Sequence, residues 1–74
     1  MYIKVKATGS DSLITIPNVT LIKEIQSDDV REFTNFDSLN FLDSCDYIFV
    51  GSFKLHIKGS KIDFVVIRDE TFLN

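Results

Sequence analysis

The sequence predicts a single compact α+β domain over residues 1–74, in which a small antiparallel sheet of four or five strands packs against one or two short helices. Apolar and polar residues alternate near both ends of the chain, which is typical of half-buried strands. In the middle, Ser27-Asp28-Asp29 precedes apolar residues spaced by three, which is typical of a helix start. With 74 residues and 45% apolar side chains, the chain suffices for one core. The predicted order is β-β-(β)-α-β-β.

The clearest predicted element is a β-hairpin over residues 53–66 with Gly59-Ser60 as its turn. Its apolar pairs would be Ile57 with Ile62, Leu55 with Phe64 and Phe53 with Val66. Its polar face would pair Lys58 with Lys61 and His56 with Asp63. Because a slip by one residue would set apolar side chains opposite charged ones, burial should fix this register. We therefore expect the apolar face to lie buried beneath the helical segment.

The N-terminal part of the chain predicts two or three strands. The first runs to about Ala7 and is followed by a turn at residues 9–12. The second covers residues 13–16 and stops at Pro17, which suits an edge strand because proline cannot donate to the ladder. These two strands should form a hairpin. Residues 19–25 alternate again and favour a third strand, the alternative being that the second strand continues past a bulge at Pro17.

The middle of the chain predicts two short helices. Ser27 would cap the first, with Val30 and Phe33 one turn apart. Apolar residues continue at positions 30, 33, 36, 39, 42 and 45. Steps of three drift by about 60° each around a helix, so a single long helix could not keep them on one side. The second helix would start at Asp37 and end over residues 43–46.

The C-terminal part predicts one long strand followed by the second arm of the hairpin. Residues 47–50 are apolar with strong strand preference, and Gly51-Ser52 would bend this strand before it continues into the hairpin. Residues 65–67 are apolar on both faces, so the centre of the sheet should be covered twice. The pattern assigns no state to the tail at residues 71–74.

Composition and motifs argue against an enzyme. Cys45 is the only cysteine and His56 the only histidine, so they form the one pair available for nucleophilic catalysis. We expect His56 on a strand surface and Cys45 in the interior. No motif indicates a cofactor or a metal ion. The lone cysteine cannot form an intrachain disulfide, and the N-terminus resembles a strand rather than a signal peptide, which favours the cytoplasm.

Charge is strongly segregated along the chain, although the net charge is only −3. Residues 24–46 carry seven acids against one arginine, whereas residues 47–68 carry four bases against one acid. The predicted acidic helical face consists of Glu24, Asp28, Asp29, Glu32, Asp37, Asp43 and Asp46. Such a surface can steer a basic partner. The leading functional hypothesis is therefore a non-enzymatic module that binds a larger, basic protein, although a merely solvated face is an alternative.

The order of elements resembles that of many small phage and bacterial accessory proteins in size and topology. This is an analogy that carries no functional residue across. Small size and the lack of catalytic groups favour an inhibitor or accessory role, of which anti-CRISPR proteins and immunity proteins are examples. The second sheet face would also carry an apolar patch able to bind the larger protein or to form a homodimer, unless the first hairpin or the tail covers it. Its residues are Ile48, Val50, Val65 and Ile67.

A nucleic-acid-binding sheet face is the alternative function. It would combine aromatic stacking with basic residues that neutralise phosphates. The candidate residues are Tyr2, Lys4, Lys6, Lys54, His56, Lys58 and Lys61. One tyrosine offers little stacking surface, and a net negative chain repels phosphate at long range. Nucleic acid therefore ranks below protein as the expected partner.

Overall fold

The computed structural model describes residues 1–37 and 39–69, which form seven strands arranged in two antiparallel sheets. The strands are β1 (Tyr2–Ala7), β2 (Leu13–Pro17), β3 (Leu21–Gln26), β4 (Asp29–Phe33), β5 (Asp46–Val50), β6 (Lys54–Lys58) and β7 (Ile62–Arg68). One sheet has the order β2-β1-β7 and the other β4-β3-β5-β6. The only helical element in these residues is a 3₁₀ turn at Gly59–Lys61. The predicted α+β class is therefore wrong, and the protein is nearly all β.

The N-terminal predictions are confirmed. β1 and β2 pair as an antiparallel hairpin, with Ile3 opposite Ile16 and Lys6 opposite Leu13. β2 is an edge strand and ends at Pro17, as the missing proline N–H requires. A residue with positive φ, Asn18 at 57°, then turns the chain from the three-stranded sheet into β3 of the other sheet.

One hydrophobic cluster lies between the two sheets. Alternate residues of β1, β3 and β5 are buried, because successive side chains of a strand point to opposite faces. The buried apolar residues are Ile3, Val5, Ile16, Val19, Ile22, Phe36, Cys45, Tyr47 and Phe49. In β1, β3 and β5 the buried residues define the inner face of each sheet, and the residues between them lie on the outer face.

A strand, β4, occupies the place of the first predicted helix. Gln26 pairs with Asp29, so Ser27 and Asp28 form a two-residue hairpin loop, with Ser27 at φ 53°. Serine and aspartate favour turns by the same local hydrogen bonding that makes them helix caps. The Ser-Asp-Asp signal is thus ambiguous, and pairing with β3 decides in favour of a strand.

An irregular segment that packs on the core replaces the second predicted helix. Phe36 is buried, and Leu39 and Phe41 pack against the core cluster. The Phe41 ring lies 4.9 Å from the Tyr47 ring, nearly edge-on, and 5.8 Å from the Phe49 ring. Apolar residues spaced by two or three can therefore enter a core without helical geometry, provided that the backbone is irregular.

The bend predicted at Gly51-Ser52 is instead the loop of a hairpin. β5 and β6 pair antiparallel, with Val50 opposite Lys54, so the chain reverses over residues 51–53. A Cβ atom on Gly51 would overlap the carbonyl oxygen of Pro17. Only glycine lets the loop approach the Pro17 backbone this closely.

The predicted hairpin over residues 53–66 is also wrong, because its two arms lie in different sheets. In the four-stranded sheet Leu55 pairs with Phe49. In the three-stranded sheet Phe64 pairs with Lys6, on the outer face, and Phe64 is 45% exposed. The predicted pairs between the arms therefore do not form, and no helical segment covers them. The tail at residues 71–74 lies outside the described residues.

Gly59 is the point at which the chain leaves one sheet for the other. It is buried, and its N–H donates a hydrogen bond to the carbonyl oxygen of Cys45 at 2.7 Å. A Cβ atom here would overlap the carbonyl oxygen of Leu42 and lie 2.8 Å from that of Cys45. Gly59, which predicted a hairpin turn, instead allows the backbone of this turn to pack closely against the end of the irregular segment.

Candidate binding surfaces

Glu24, one of the predicted partner-binding acids, is buried on the inner face of β3 with 7% of its surface exposed. Its Oε2 accepts a hydrogen bond from the Tyr47 hydroxyl at 2.8 Å. The same hydroxyl accepts a hydrogen bond from the backbone N–H of Leu42 at 2.7 Å. This network ties the irregular segment to the sheet, so Glu24 stabilises the fold and is not part of an acidic surface.

Burial raises the pKa of the Tyr47 phenol well above its usual value, and the adjacent Glu24 carboxylate raises the pKa further. The phenol therefore stays protonated at physiological pH and can act as the donor. A pocket of about 270 Å³ opens beside this network. Its lining residues are Glu24, Arg31, Phe33, Leu39, Asn40 and Leu42. Arg31 lies opposite Glu24 in the β3–β4 register, so the wall carries both charges.

Two further predicted acids contact basic side chains within the four-stranded sheet. Glu32 Oε2 lies 3.9 Å from Lys23 Nζ, and Asp46 Oδ2 lies 3.5 Å from His56 Nε2. Both pairs are exposed, so each adds little to the free energy of folding. Lys23 offsets the negative charge of Glu32. With Glu24 buried, four of the seven predicted acids lie outside these contacts.

Three of those four acids lie near one end of the four-stranded sheet. At the tip of the β3–β4 hairpin, Asp28 lies in the two-residue loop and Asp29 is the first residue of β4. Asp43 lies next to Ser44, whose hydroxyl oxygen is 3.5 Å from the side-chain nitrogen of Gln26 at the same end. We call Asp28, Asp29 and Asp43 the acidic end; all three are exposed. Asp37 is exposed elsewhere in the irregular segment.

The predicted basic face is divided between the two sheets. Tyr2, Lys4 and Lys6 lie on the outer face of the three-stranded sheet, since Ile3 and Val5 point inward. The others, Lys54, His56 and Lys58, are exposed on β6 of the four-stranded sheet, and Lys61 lies in the 3₁₀ turn. The seven residues therefore do not form a single surface.

The outer face of the three-stranded sheet contains residues that the sequence analysis missed. Arg68 lies opposite Tyr2 in the register, and Phe64 lies opposite Lys6. Lys6 Nζ is 3.1 Å from Asp63 Oδ2, and Lys4 Nζ is 5.9 Å from the centre of the Tyr2 ring. The alternation of β7 placed Phe64 on one face, but only its pairing with β1 shows that this face is outward.

The four residues of the predicted apolar patch also separate. Ile48 and Val50 lie on the outer face of the four-stranded sheet, opposite His56 and Lys54. Val65 and Ile67 instead lie opposite Val5 and Ile3, on the inner side of the three-stranded sheet. One dimer surface cannot contain all four residues.

Cys45 and His56 have separate environments. Cys45 is 1% exposed, and its Sγ lies 4.0 Å from the Ser44 hydroxyl. His56 is on the surface beside Asp46. Among the described residues no cluster of three or more His, Cys, Asp or Glu side chains could hold a metal ion. The described chain also forms no helix with the length and apolarity needed to cross a membrane. No protein-family model, curated protein or solved structure matches this chain.

Proposed function

We propose that this protein is a non-enzymatic binding module that contacts a larger, basic protein through the acidic end, as an inhibitor or accessory protein would. The supporting observation is the exposure of Asp28 and Asp29 at the hairpin tip and of Asp43 beside Ser44, which reaches Gln26 at the same end of the sheet; none of the three acids forms an ion pair among the described residues. The resemblance in order of elements to small accessory proteins does not hold for this fold, because it depended on the α+β order. A cytoplasmic location belongs to the same proposal and is supported by the free thiol of Cys45.

The fold does not require these three acids. The hairpin tip needs turn-forming residues, which asparagine and glycine would supply equally well. Like charges placed close together repel one another, and this repulsion reduces the stability of the compact state. A basic partner would relieve the repulsion and would be attracted at long range, which speeds association.

Charge reversal of the hairpin tip tests this proposal. The parent protein first captures a partner from its producing cells, and the purified partner then serves as the probe in binding kinetics. We expect Asp28→Lys with Asp29→Lys to slow association about tenfold at low salt and to remove its salt dependence. Thermal unfolding should change little, because both positions are exposed.

The matched control reverses two acids elsewhere, Asp11 in the β1–β2 loop and Asp69 after β7, both exposed. Asp11→Lys with Asp69→Lys changes the net charge by the same amount as the tip variant. If both double variants slowed association equally, the effect would depend on net charge alone, which would contradict a localised binding surface. Normal association of the tip variant would contradict the proposal itself.

Nucleic acid remains a second candidate, because pairing adds Arg68 and Phe64 to the Tyr2, Lys4 and Lys6 face. Two aromatic rings and three cations then share one sheet face, which is the combination that proteins use to bind single-stranded nucleic acid. The acids elsewhere oppose this binding at long range. We therefore rank nucleic-acid binding through this face below binding of a basic protein through the acidic end.

A labelled single-stranded oligonucleotide, titrated at low and high salt, tests the second candidate. If this face binds, Lys4→Glu with Arg68→Glu should weaken binding at least about tenfold, whereas Lys54→Glu with Lys58→Glu should retain most of it. Both variants change the charge equally, but only the first changes the face. Absence of salt-sensitive binding by the parent protein would exclude this candidate.

A further inference from the structure

One carboxylate oxygen of Glu24 has no hydrogen-bond partner. Oε2 accepts the hydrogen bond from Tyr47, and no other described residue donates to Glu24. Every fully buried side-chain nitrogen or oxygen among the described residues does have a partner, so Oε1 is open to the pocket that Glu24 lines. Because Glu24 is only 7% exposed, little water surrounds this oxygen, and a cationic donor would bind to it strongly.

Arg31 adds a positive charge to the wall of the same pocket. It lies directly opposite Glu24 in the β3–β4 register, and opposite residues of an antiparallel pair share a face. The two side chains form no ion pair, and Arg31 pairs with no other acid among the described residues. The pocket therefore has one negative and one positive group, each without a partner of opposite charge.

The rest of the wall is mainly apolar. Phe33 follows Arg31 by two residues on β4, so it lies on the same face. Leu39 and Leu42 of the irregular segment complete this wall. Leu42 is 48% exposed, so a ligand can enter here from the solvent. The volume of about 270 Å³ is just below the roughly 300–1,000 Å³ of pockets for drug-sized molecules, so the pocket suits a smaller ligand.

We propose that this pocket binds a free α-amino acid with an apolar side chain, such as leucine. The ammonium group of the ligand donates to Glu24 Oε1, and its carboxylate accepts hydrogen bonds from the Arg31 guanidinium. Its side chain packs against Phe33 and the two leucines of the irregular segment.

The two charges of the wall select a zwitterion over a singly charged ligand. A ligand with only an ammonium group is repelled by Arg31, and a ligand with only a carboxylate is repelled by Glu24. An α-amino acid carries both groups on one carbon. This spacing suits two wall residues that lie directly opposite each other, with Cα atoms within about 5.5 Å. The proposal uses none of the three acids of the acidic end and does not depend on the protein-binding function.

NMR titration of the isotopically labelled protein with matched ligands tests the proposal. Isopentylamine is leucine without its carboxylate, isocaproate is leucine without its ammonium group, and glycine lacks the side chain. We expect leucine to bind with a dissociation constant on the order of 0.1–1 mM, and each of the other ligands to bind at least about tenfold more weakly. The backbone amide signals of Leu39, Asn40 and Leu42 should shift, whereas those of β7, in the other sheet, should not.

Charge-removing variants provide the second measurement. Glu24→Gln and Arg31→Gln each remove one charge from the pocket wall, and both should weaken leucine binding at least about tenfold. Lys23→Gln and Glu32→Gln are the matched controls, because these residues form the adjacent register pair on the outer face. They should leave leucine binding unchanged.

Arg31→Gln also gives a change of specificity. Arg31 is exposed, so this variant should keep the fold, which circular dichroism checks, and it is sufficient for the test if Glu24→Gln is unfolded. Without the guanidinium, leucine should lose its advantage over isopentylamine, because its carboxylate no longer meets a cation.

Three results would overturn the proposal. They are absence of leucine binding up to about 10 mM, equal binding of leucine and isopentylamine by the parent protein, and equal weakening of leucine binding by the wall variants and the outer-face controls.

Discussion

Replacing Gly59 by alanine should destabilise the protein by about 3 kcal/mol or more. The added methyl group overlaps the Leu42 carbonyl oxygen and crowds that of Cys45, and both atoms belong to the backbone, so no side-chain rotation relieves the overlap. Overpacking alone costs about 1–3 kcal/mol, and displacing the segment removes the bond from the Gly59 N–H, worth about 1 kcal/mol. For a domain with roughly 4–11 kcal/mol in total, this loss is a large fraction.

Urea unfolding followed by circular dichroism measures the effect. The matched control is Ser60→Ala in the same turn, where the side chain is exposed and the change should cost less than about 0.5 kcal/mol. If Gly59 were only the turn of a β6–β7 hairpin, alanine there would cost about 1 kcal/mol or less. Equal stability of the two variants would contradict the close contact with Leu42.

Phe49→Ala should lower the free energy of unfolding by about 3–5 kcal/mol. Phe49 has 0% exposure on the inner face of β5, where its ring contacts that of Phe41. Truncation leaves a cavity bounded by rigid sheet residues. We therefore expect this variant to be largely unfolded or to melt far below the parent protein.

Phe64→Ala is the matched control and reverses an expectation from the sequence. The hairpin interpretation placed Phe64 on a buried face, which would make the two phenylalanine truncations equally costly. In the structure Phe64 is 45% exposed on the outer side of β7, so we expect a loss of less than about 1.5 kcal/mol. A larger loss from Phe64→Ala than from Phe49→Ala would contradict the assignment of inner and outer faces.

The strand segments could be predicted from the sequence because alternation is a local signal. The alternation at β1 and β3 reflects burial of one face, which each strand shows by itself, whereas β5 was indicated by a run of residues with strong strand preference. The segment at β4 could not be predicted in this way. Serine and aspartate are equally suited to a cap and to a turn, and the choice between them depends on whether β3 offers an edge for pairing.

The sequence shows which stretches of the chain are acidic or basic, but it does not show which of their residues lie together on one surface. Charge segregation along the chain is read directly from the sequence, but it does not say which charged residues share a surface. Glu24 is not part of the acidic surface, because it lies on the inner face opposite Tyr47. Arg68 lies on the same outer face as Tyr2, because β7 pairs with β1. Both facts depend on strand partners that are distant in the sequence.

The sequence by itself determined the extended segments apart from β4, the turn between β1 and β2, and that no disulfide within the chain constrains the fold. Only the tertiary structure decided which strands are neighbours and which alternating face is inward. Alternation has a period of two and distinguishes two faces, but it does not say which of them the rest of the chain covers. At Gly59 the same residue suits a hairpin turn and a crossing between sheets, and the backbone of Leu42 and Cys45 packed against it selects the crossing.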